Sequence, residues 1–456
     1  MNKYLVLFTA LVLFPLVLYS QYNLPEGYYM TKLDNGLEVL VYEDASVPLV
    51  TVEINVKNGS YTEPPEFNGL SHFYEHMFFK ANRDMPSQEA YMKKAHELGM
   101  SWNGTTNVDR VNYFFTLPSA NLDSGLNFMN SAIRYPLFLE DEIQKEHAVV
   151  NGEFQRDESD PEFHLWMDWD KNMWGANACR KNPLGDHEVI LSATPEKMKT
   201  IQQKYYWPNN SLLVIAGDVK HEEVFEKVKD LYGDWKSSGF DPQTKWPIPD
   251  FEPLKADINY ITVNENTKSP VIAIGWQGPD TRRDIKNTFV ADVFSSIVNL
   301  ESSKLRKDII ESGLATEFSL SYTTSKYTGP IQLRIMPNQQ KIKECLAKVN
   351  ENISRWDSDD YFTDEQLETA KRQLDIQLQY RKEQTTSYCH TIGYWWSMAN
   401  VDYLISYSKN INDVTRDDIK KFVRKYIKDI PKVSGLLLSA QMQSGMNINK
   451  YEDLLN

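Results

Sequence analysis

A helix-then-strand pattern that occurs twice restricts the possible folds of this chain more than any other feature. Thr194-Pro-Glu-Lys-Met-Lys-Thr-Ile-Gln-Gln-Lys-Tyr-Tyr206 has the spacing of an amphipathic helix and leads into an apolar run, residues 211–216. In the second half, Thr415-Arg-Asp-Asp-Ile-Lys-Lys-Phe-Val-Arg-Lys-Tyr426 leads in the same way into residues 435–439. The helical stretch 141–156 likewise has a counterpart at 364–381, again about 220 residues further on. Any two amphipathic helices can be superimposed, but matching order and spacing at both places implies two duplicated domains of similar size. A chain of 456 residues is too long for one ordinary core, so the length agrees.

Within a domain the pattern is mixed. Residues 29–32 and 37–42 flank Asp34-Asn35-Gly36, a hairpin signal, and 49–56 reads as a further strand after Pro48. Helical spacing recurs at 68–80, 88–98, 122–133 and 141–156; the strand at 211–216 ends at Gly217-Asp218, and a helix follows at 222–231. Strands and helices without strict alternation predict an α+β fold, each domain an antiparallel-rich sheet with helices packed on one face. Residues 237–255 hold Ser237-Ser238-Gly239 and Pro242, Pro247, Pro249 and Pro253, a linker composition that divides the chain into 21–236 and 256–456.

At the N-terminus, Lys3 precedes an apolar run at 5–19 that ends before the small residue Ser20. That is the layout of a secretory signal peptide over 1–20, and it predicts export to a periplasm or the extracellular space. The run is short and interrupted by Pro15, so no stable membrane span is expected, although an uncleaved anchor remains an alternative. A formal charge of −14 excludes nucleic acid as a partner, because phosphate binding needs a basic surface. Three cysteines, Cys179, Cys345 and Cys389, make no disulfide scaffold and no metal cluster. Any metal must therefore be held by histidines and carboxylates.

Gly69-Leu-Ser-His72-Phe-Tyr-Glu75-His76-Met77 meets that requirement. On a helix, His72 and His76 lie one turn apart and point the same way, a spacing that lets two imidazoles bind one zinc ion. Glu75 lies beside them, placed to act on water rather than on the metal. Downstream, Glu146 and Glu153 are seven residues apart and so share one face of the helix at 141–156. Two histidines with one carboxylate form a common catalytic zinc set. Glu153 stands 77 residues after His76, and Glu146 is placed to orient a histidine or the bound water. Taken alone, the second helix could equally be a solvated charged face. His96, His147, His164, His187, His221 and His390 lack metal-type spacing and are read as structural.

Together these motifs resemble the pitrilysin/insulinase family of zinc metallopeptidases, in which a His-x-x-Glu-His helix is followed at a similar separation by a glutamate ligand. The resemblance covers nearly all of the mature chain. It implies one zinc ion per chain held by His72, His76 and Glu153, with Glu75 and Glu146 as catalytic carboxylates. Trp102-Asn103-Gly104-Thr105-Thr106 and the residues up to Tyr113 resemble the family's Asn-Ala-x-Thr strand, whose edge pairs with substrate, which places Asn103, Thr105 and Tyr113 at the substrate. Gly104 departs from that pattern, since alanine is usual there. Tyr205-Tyr206-Trp207-Pro208-Asn209-Asn210 and Gly217-Asp218 also resemble the family. Members fold as two similar α+β domains, only the first carrying metal. Here Thr369 and Ile376 stand where Glu146 and Glu153 stand in the first half, and no second His-x-x-Glu-His follows the linker.

A second departure concerns an arginine–tyrosine pair that many members use to hold substrate and oxyanion. Ile309 and Thr316 occupy those positions, with Arg306 and Tyr322 nearby but out of pattern. The resemblance then implies a homologous partner subunit that supplies the pair, in preference to a homodimer. The expected function is a zinc-dependent endopeptidase acting on extended peptides. The alternative is a non-catalytic peptide-binding or assembly subunit.

Overall fold

A computed structural model describes residues 24–383 and 385–455. The expected signal peptide at 1–20 lies outside the described residues, and among those described no helix is long and apolar enough to cross a membrane.

The described strands form two sheets. In the first half β1 (Tyr28–Lys32), β2 (Glu38–Glu43), β3 (Leu49–Val56), β4 (Ser101–Thr106), β5 (Val111–Pro118) and β6 (Ser211–Gly217) lie in the order β1-β2-β6-β3-β5-β4. In the second, β7 (Ile258–Val263), β8 (Val271–Gln277), β9 (Ala315–Tyr322), β10 (Pro330–Pro337) and β11 (Val433–Leu438) lie in the order β7-β11-β8-β10-β9. Each sheet is antiparallel except at one place, β2 beside β6 and β7 beside β11. Without the hairpin strand β1 the two orders match strand for strand, down to the position of the parallel pair. The two-domain α+β organisation is as the repeat predicts.

The main helices of the first half are α1 (Leu70–Phe78), α2 (Gln88–Glu97), α3 (Leu122–Arg134), α4 (Glu140–Glu158), α5 (Pro161–Trp174), α6 (Pro195–Tyr205) and α7 (His221–Tyr232). Those of the second are α8 (Ile285–Asn299), α9 (Ile342–Arg355), α10 (Asp364–Lys382), α11 (Thr385–Met398), α12 (Val401–Asn412) and α13 (Arg416–Tyr426). The threonine that opens each copy of the repeated segment caps its helix: Thr194 accepts from the Lys197 N–H, and Thr415 from the Asp418 N–H. This side-chain cap satisfies an N–H that the helix itself cannot pair.

One feature of the packing was not legible in the periodicity. Val39, Val41, Val50, Val52, Leu213 and Ile215 face the first domain's own helices, while the alternate residues Leu40, Leu212, Val214 and Ala216 face Tyr388, Cys389, Ile392 and Trp396 of α11. The second sheet mirrors this. Ile272, Ile274 and Leu436 face its own helices, and Val271, Ala273 and Leu437 face Leu165, Trp169 and Met173 of α5. Each domain thus lends one helix to the outer face of the other's sheet. Burial on both faces explains why β6 reads as one unbroken apolar run, Ser-Leu-Leu-Val-Ile-Ala-Gly.

Two glycines allow the closest approaches. A Cβ at Gly275 would lie 2.4 Å from the Trp169 ring, and one at Gly393 would lie 2.1 Å from Asn55 Oδ1. Polar ties reinforce both contacts: Arg334 holds Glu162 through two hydrogen bonds of 2.7 and 2.5 Å, and Trp396 donates to Glu38 at 2.7 Å. Residues 237–255 contain only the one-turn helix Pro242–Lys245, but Ile248 and Phe251 are buried with Trp174, so this stretch is packed down. Cys179, Cys345 and Cys389 are free thiols.

Candidate metal centre

Helix α1 begins at Gly69, whose φ of 93° lies in the left-handed region. The buried carboxylate of Glu63 accepts the Gly69 and Ser71 N–H groups at 2.8 and 2.6 Å, meeting donors that the first turn leaves open. Leu70, Phe73, Tyr74, Met77 and Phe78 are buried in the first core and fix the rotation of the helix. His72 and His76 are thereby turned toward α4, and Glu75 toward β4.

His72 Nε2 and His76 Nε2 lie 3.3 Å apart, and each is 3.6 Å from Glu153 Oε2. Ligand atoms bound tetrahedrally to zinc at about 2.0–2.1 Å are separated from one another by about 3.3 Å. The donor set and its spacing therefore fit a zinc ion with one position left open. Among the described residues one other group of three converges, Glu43, His221 and Glu222. There the His221 Nδ1 and backbone N–H both donate to Glu43 at 2.8 Å and Lys220 pairs with it at 3.1 Å, so Glu43 acts as the cap of α7.

Glu146 stands behind the triad. Its Oε1 accepts from His76 Nδ1 at 2.7 Å, and its Oε2 pairs with the Lys80 ammonium. Burial opposes the charge on Glu146, but His76 and Lys80 outweigh it and hold its pKa below the usual value. Burial also opposes charge on His76, yet Glu146 and Glu153 raise its pKa to about 9. His72 lacks the Glu146 contact, and burial, with His76 beside it, outweighs Glu153 and lowers its pKa to about 4. The neighbouring His76, with His72 and Arg156 adding to it, holds Glu153 below the usual carboxyl range.

Glu75 is 8% exposed, and burial raises its pKa to about 7 against the hydrogen bond from Thr106 Oγ1 at 2.7 Å. A carboxyl of that strength can take up or release a proton near neutral pH. The Gly104 substitution has a steric counterpart: a Cβ there would lie 2.8 Å from Glu75 Cγ, so glycine leaves room for the carboxylate.

The substrate-contact expectations divide. β4 is the terminal strand of its sheet, so one backbone edge is available to an added strand. Asn103 and Thr105 lie on it, but successive side chains alternate, and theirs point to the face opposite Glu75. Asn103 accepts its own neighbour's N–H, from Gly104, at 2.9 Å, and Thr105 donates to Asn112, which in turn donates to Glu53 at 2.9 Å. Tyr113 corrects the expectation outright: it is fully buried, stacked on Phe78 at 3.8 Å, with its hydroxyl on Tyr206 at 2.7 Å, beyond the reach of a substrate.

Sequence reasoning missed Thr106, Lys80, Glu63 and Glu142. The period of two that turns Asn103 away from Glu75 also turns Thr106 toward it, so that residue was recoverable. His147 packs on Phe73 at 5.2 Å, as a structural histidine would. In the second domain Ile309 is fully buried and Thr316 is exposed. Arg306 is tied to Glu301 at 2.7 Å and Tyr322 to the Pro279 carbonyl at 3.0 Å, so both nearby candidates are engaged locally.

Comparison with known proteins agrees with this architecture. Residues 38–187 match the family model for insulinase (peptidase family M16), and residues 192–374 match that for the peptidase M16 inactive domain. A curated relative from Rickettsia felis, named an uncharacterized zinc protease, is 24% identical over 81% of this chain and 87% of its own. The mitochondrial-processing peptidase subunit beta of Mus musculus is 26% identical over 89% of this chain and 83% of its own. A crystal structure of a protease from Helicobacter pylori shares the fold with a TM-score of 0.79 at 20% identity, over 90% of this chain and 99% of that one.

Proposed function

The chain belongs to the insulinase family, peptidase family M16, and on that footing we propose that it is a zinc-dependent endopeptidase for extended, unfolded peptides. The convergence of His72, His76 and Glu153 at 3.3–3.6 Å beside a buried Glu75 is the observation that carries the reading. His72, His76 and Glu153 would hold one zinc ion, which would supply Lewis acidity to polarise a carbonyl and bring the pKa of water down to about 7. Glu75 moves the proton: ionised, it accepts one from the attacking water, and then it delivers that proton to the departing amine. Thr106 occupies Oε2 and leaves Oε1 for this exchange.

A peptide that adds to the free edge of β4 is held through its backbone, which makes recognition tolerant of sequence and demands an extended substrate. Asn103 contributes through its main chain in this reading. The domain division at 237–255 and export through residues 1–20 belong to the same reading.

Glu75→Gln tests it. The variant is expected to retain zinc while peptide turnover falls by about 10²–10⁴-fold; unchanged turnover would exclude Glu75 as the base. One observation favours a second reading, a non-catalytic peptide-binding or assembly subunit of a peptidase complex. The positions of the family's arginine–tyrosine pair hold Ile309 and Thr316, and a relative is named as a beta subunit. A homologous partner that supplies the pair, in preference to a second copy, reconciles the two readings. Zinc binding without cleavage by the isolated chain, with cleavage restored by that partner, would support this.

A further inference from the structure

We propose that Lys80 is a positioning residue for the metal centre: acting through Glu146, its ammonium fixes His76 and thereby raises the affinity of the His72–His76–Glu153 triad for zinc. The proposal rests on the zinc reading above and concerns how the chain prepares that site.

Lys80 lies one turn beyond His76, just past the end of α1, and is only 6% exposed. A buried ammonium is costly unless paired, and its partner is the equally buried Glu146. The two oxygens of that carboxylate are divided: Oε2 meets Lys80, and Oε1 meets His76 Nδ1 at 2.7 Å. In its neutral, metal-binding form an imidazole that donates from Nδ1 presents an unprotonated Nε2, the atom that faces His72 and Glu153. Glu142, one turn before Glu146, fastens the chain beyond Lys80 by accepting the Ala81 and Gln88 N–H groups at 3.0 and 2.9 Å. Helix α4 is thus docked on the end of α1 by two carboxylates before its third, Glu153, reaches the metal position.

The other imidazole makes the point by contrast. His72 Nδ1 is buried with no hydrogen-bond partner among the described residues. Orientation of the histidine pair by the protein therefore falls on the Lys80–Glu146 arm. In the second domain Thr369 stands at the Glu146 position, and the arm is missing.

Zinc affinity of the full chain, measured by competition with a chelating indicator, tests the proposal. Lys80→Met keeps the stem and removes the charge; it is expected to weaken zinc binding by about 10- to 100-fold, the usual cost of losing such support. Glu146→Gln should weaken it comparably, and adding Lys80→Met to that variant should change little, because the lysine acts through the carboxylate. Lys80→Arg should restore most of the affinity, which a role in packing alone does not predict. Should Lys80→Met fail to fold, the doubly neutral variant replaces it in comparison with Glu146→Gln. Wild-type affinity in folded Lys80→Met, or a further large loss when it is added to Glu146→Gln, overturns the proposal. A wild-type chain that binds no zinc overturns the zinc reading itself, a distinguishable result.

Discussion

In the first domain α4 meets α1 through carboxylates: Glu142 on backbone N–H groups, Glu146 on His76 and Lys80, and Glu153 toward both histidines. In the second, α10 meets α8 where the carbonyl of fully buried Ala370 accepts from Ser296 Oγ at 3.5 Å, and the Glu153 position carries Ile376, 52% exposed. The sheets beneath are the same. What separates a prospective metal centre from a plain helix pair is then a few side chains on a shared frame, with no change of topology. The second cleft remains as a cavity of about 620 Å³ lined by Asp292, Asn299, Tyr322, Gln377 and Arg381. Even its half-buried acid has a parallel. Asp292 accepts from Tyr407 at 2.8 Å and is pushed up to about 7 by burial, as Glu75 is beside Thr106.

The largest effect expected from probing this symmetry lies at the two lent helices. Gly275→Ala would drive a methyl group into Trp169, and Gly393→Ala into Asn55. Overpacking of this kind costs about 1–3 kcal/mol or more, so each variant should lower the thermal midpoint, and by similar amounts if the two exchanges are equivalent. A large loss from one and none from the other would break the comparison.

An effect of comparable size, but confined to high pH, concerns the paired acids. Glu75 and Asp292 both bind a proton more tightly in the folded metal-free chain than in the unfolded one. The contribution of these two groups to stability should therefore fall as pH rises from the ordinary carboxyl range to about 7, and level off above it. Glu75→Gln and Asp292→Asn should each stabilise the metal-free chain at pH ~8 by on the order of 1–3 kcal/mol and do little at pH ~4. Chemical denaturation at the two pH values measures this. Added zinc should erase the gain from Glu75→Gln only, because its charge lies beside Glu75; erasure of both gains would contradict the assignment of one metal to the first domain.

Much of this was legible in the sequence because it rests on local periodicity. The hairpin at Asn35-Gly36, strand β3, the extents of α4 and α10 and the duplication itself all follow from spacing of apolar residues and caps. The pairing of His72 with His76 follows from the helix period alone. What escaped was non-local. The lent helices α5 and α11 look like any amphipathic segment, since nothing in their own residues says which sheet they cover. Lys80 and Glu63 read as ordinary charges until the fold buries them. Tyr113 misled because it reads as part of the segment that begins at Trp102; the chain turns after Thr106 and places it on the neighbouring strand β5, whose alternation turns it into the core.

The most direct test is the zinc content of the purified full chain beside that of Glu153→Ile, which gives the first domain the second domain's residue. The account predicts one zinc ion per wild-type chain and a loss of most or all of it in the variant, with the fold intact by circular dichroism. A wild-type chain that takes up no zinc, or a variant that binds it as well as wild type, would contradict the claim that these few side chains distinguish the two domains.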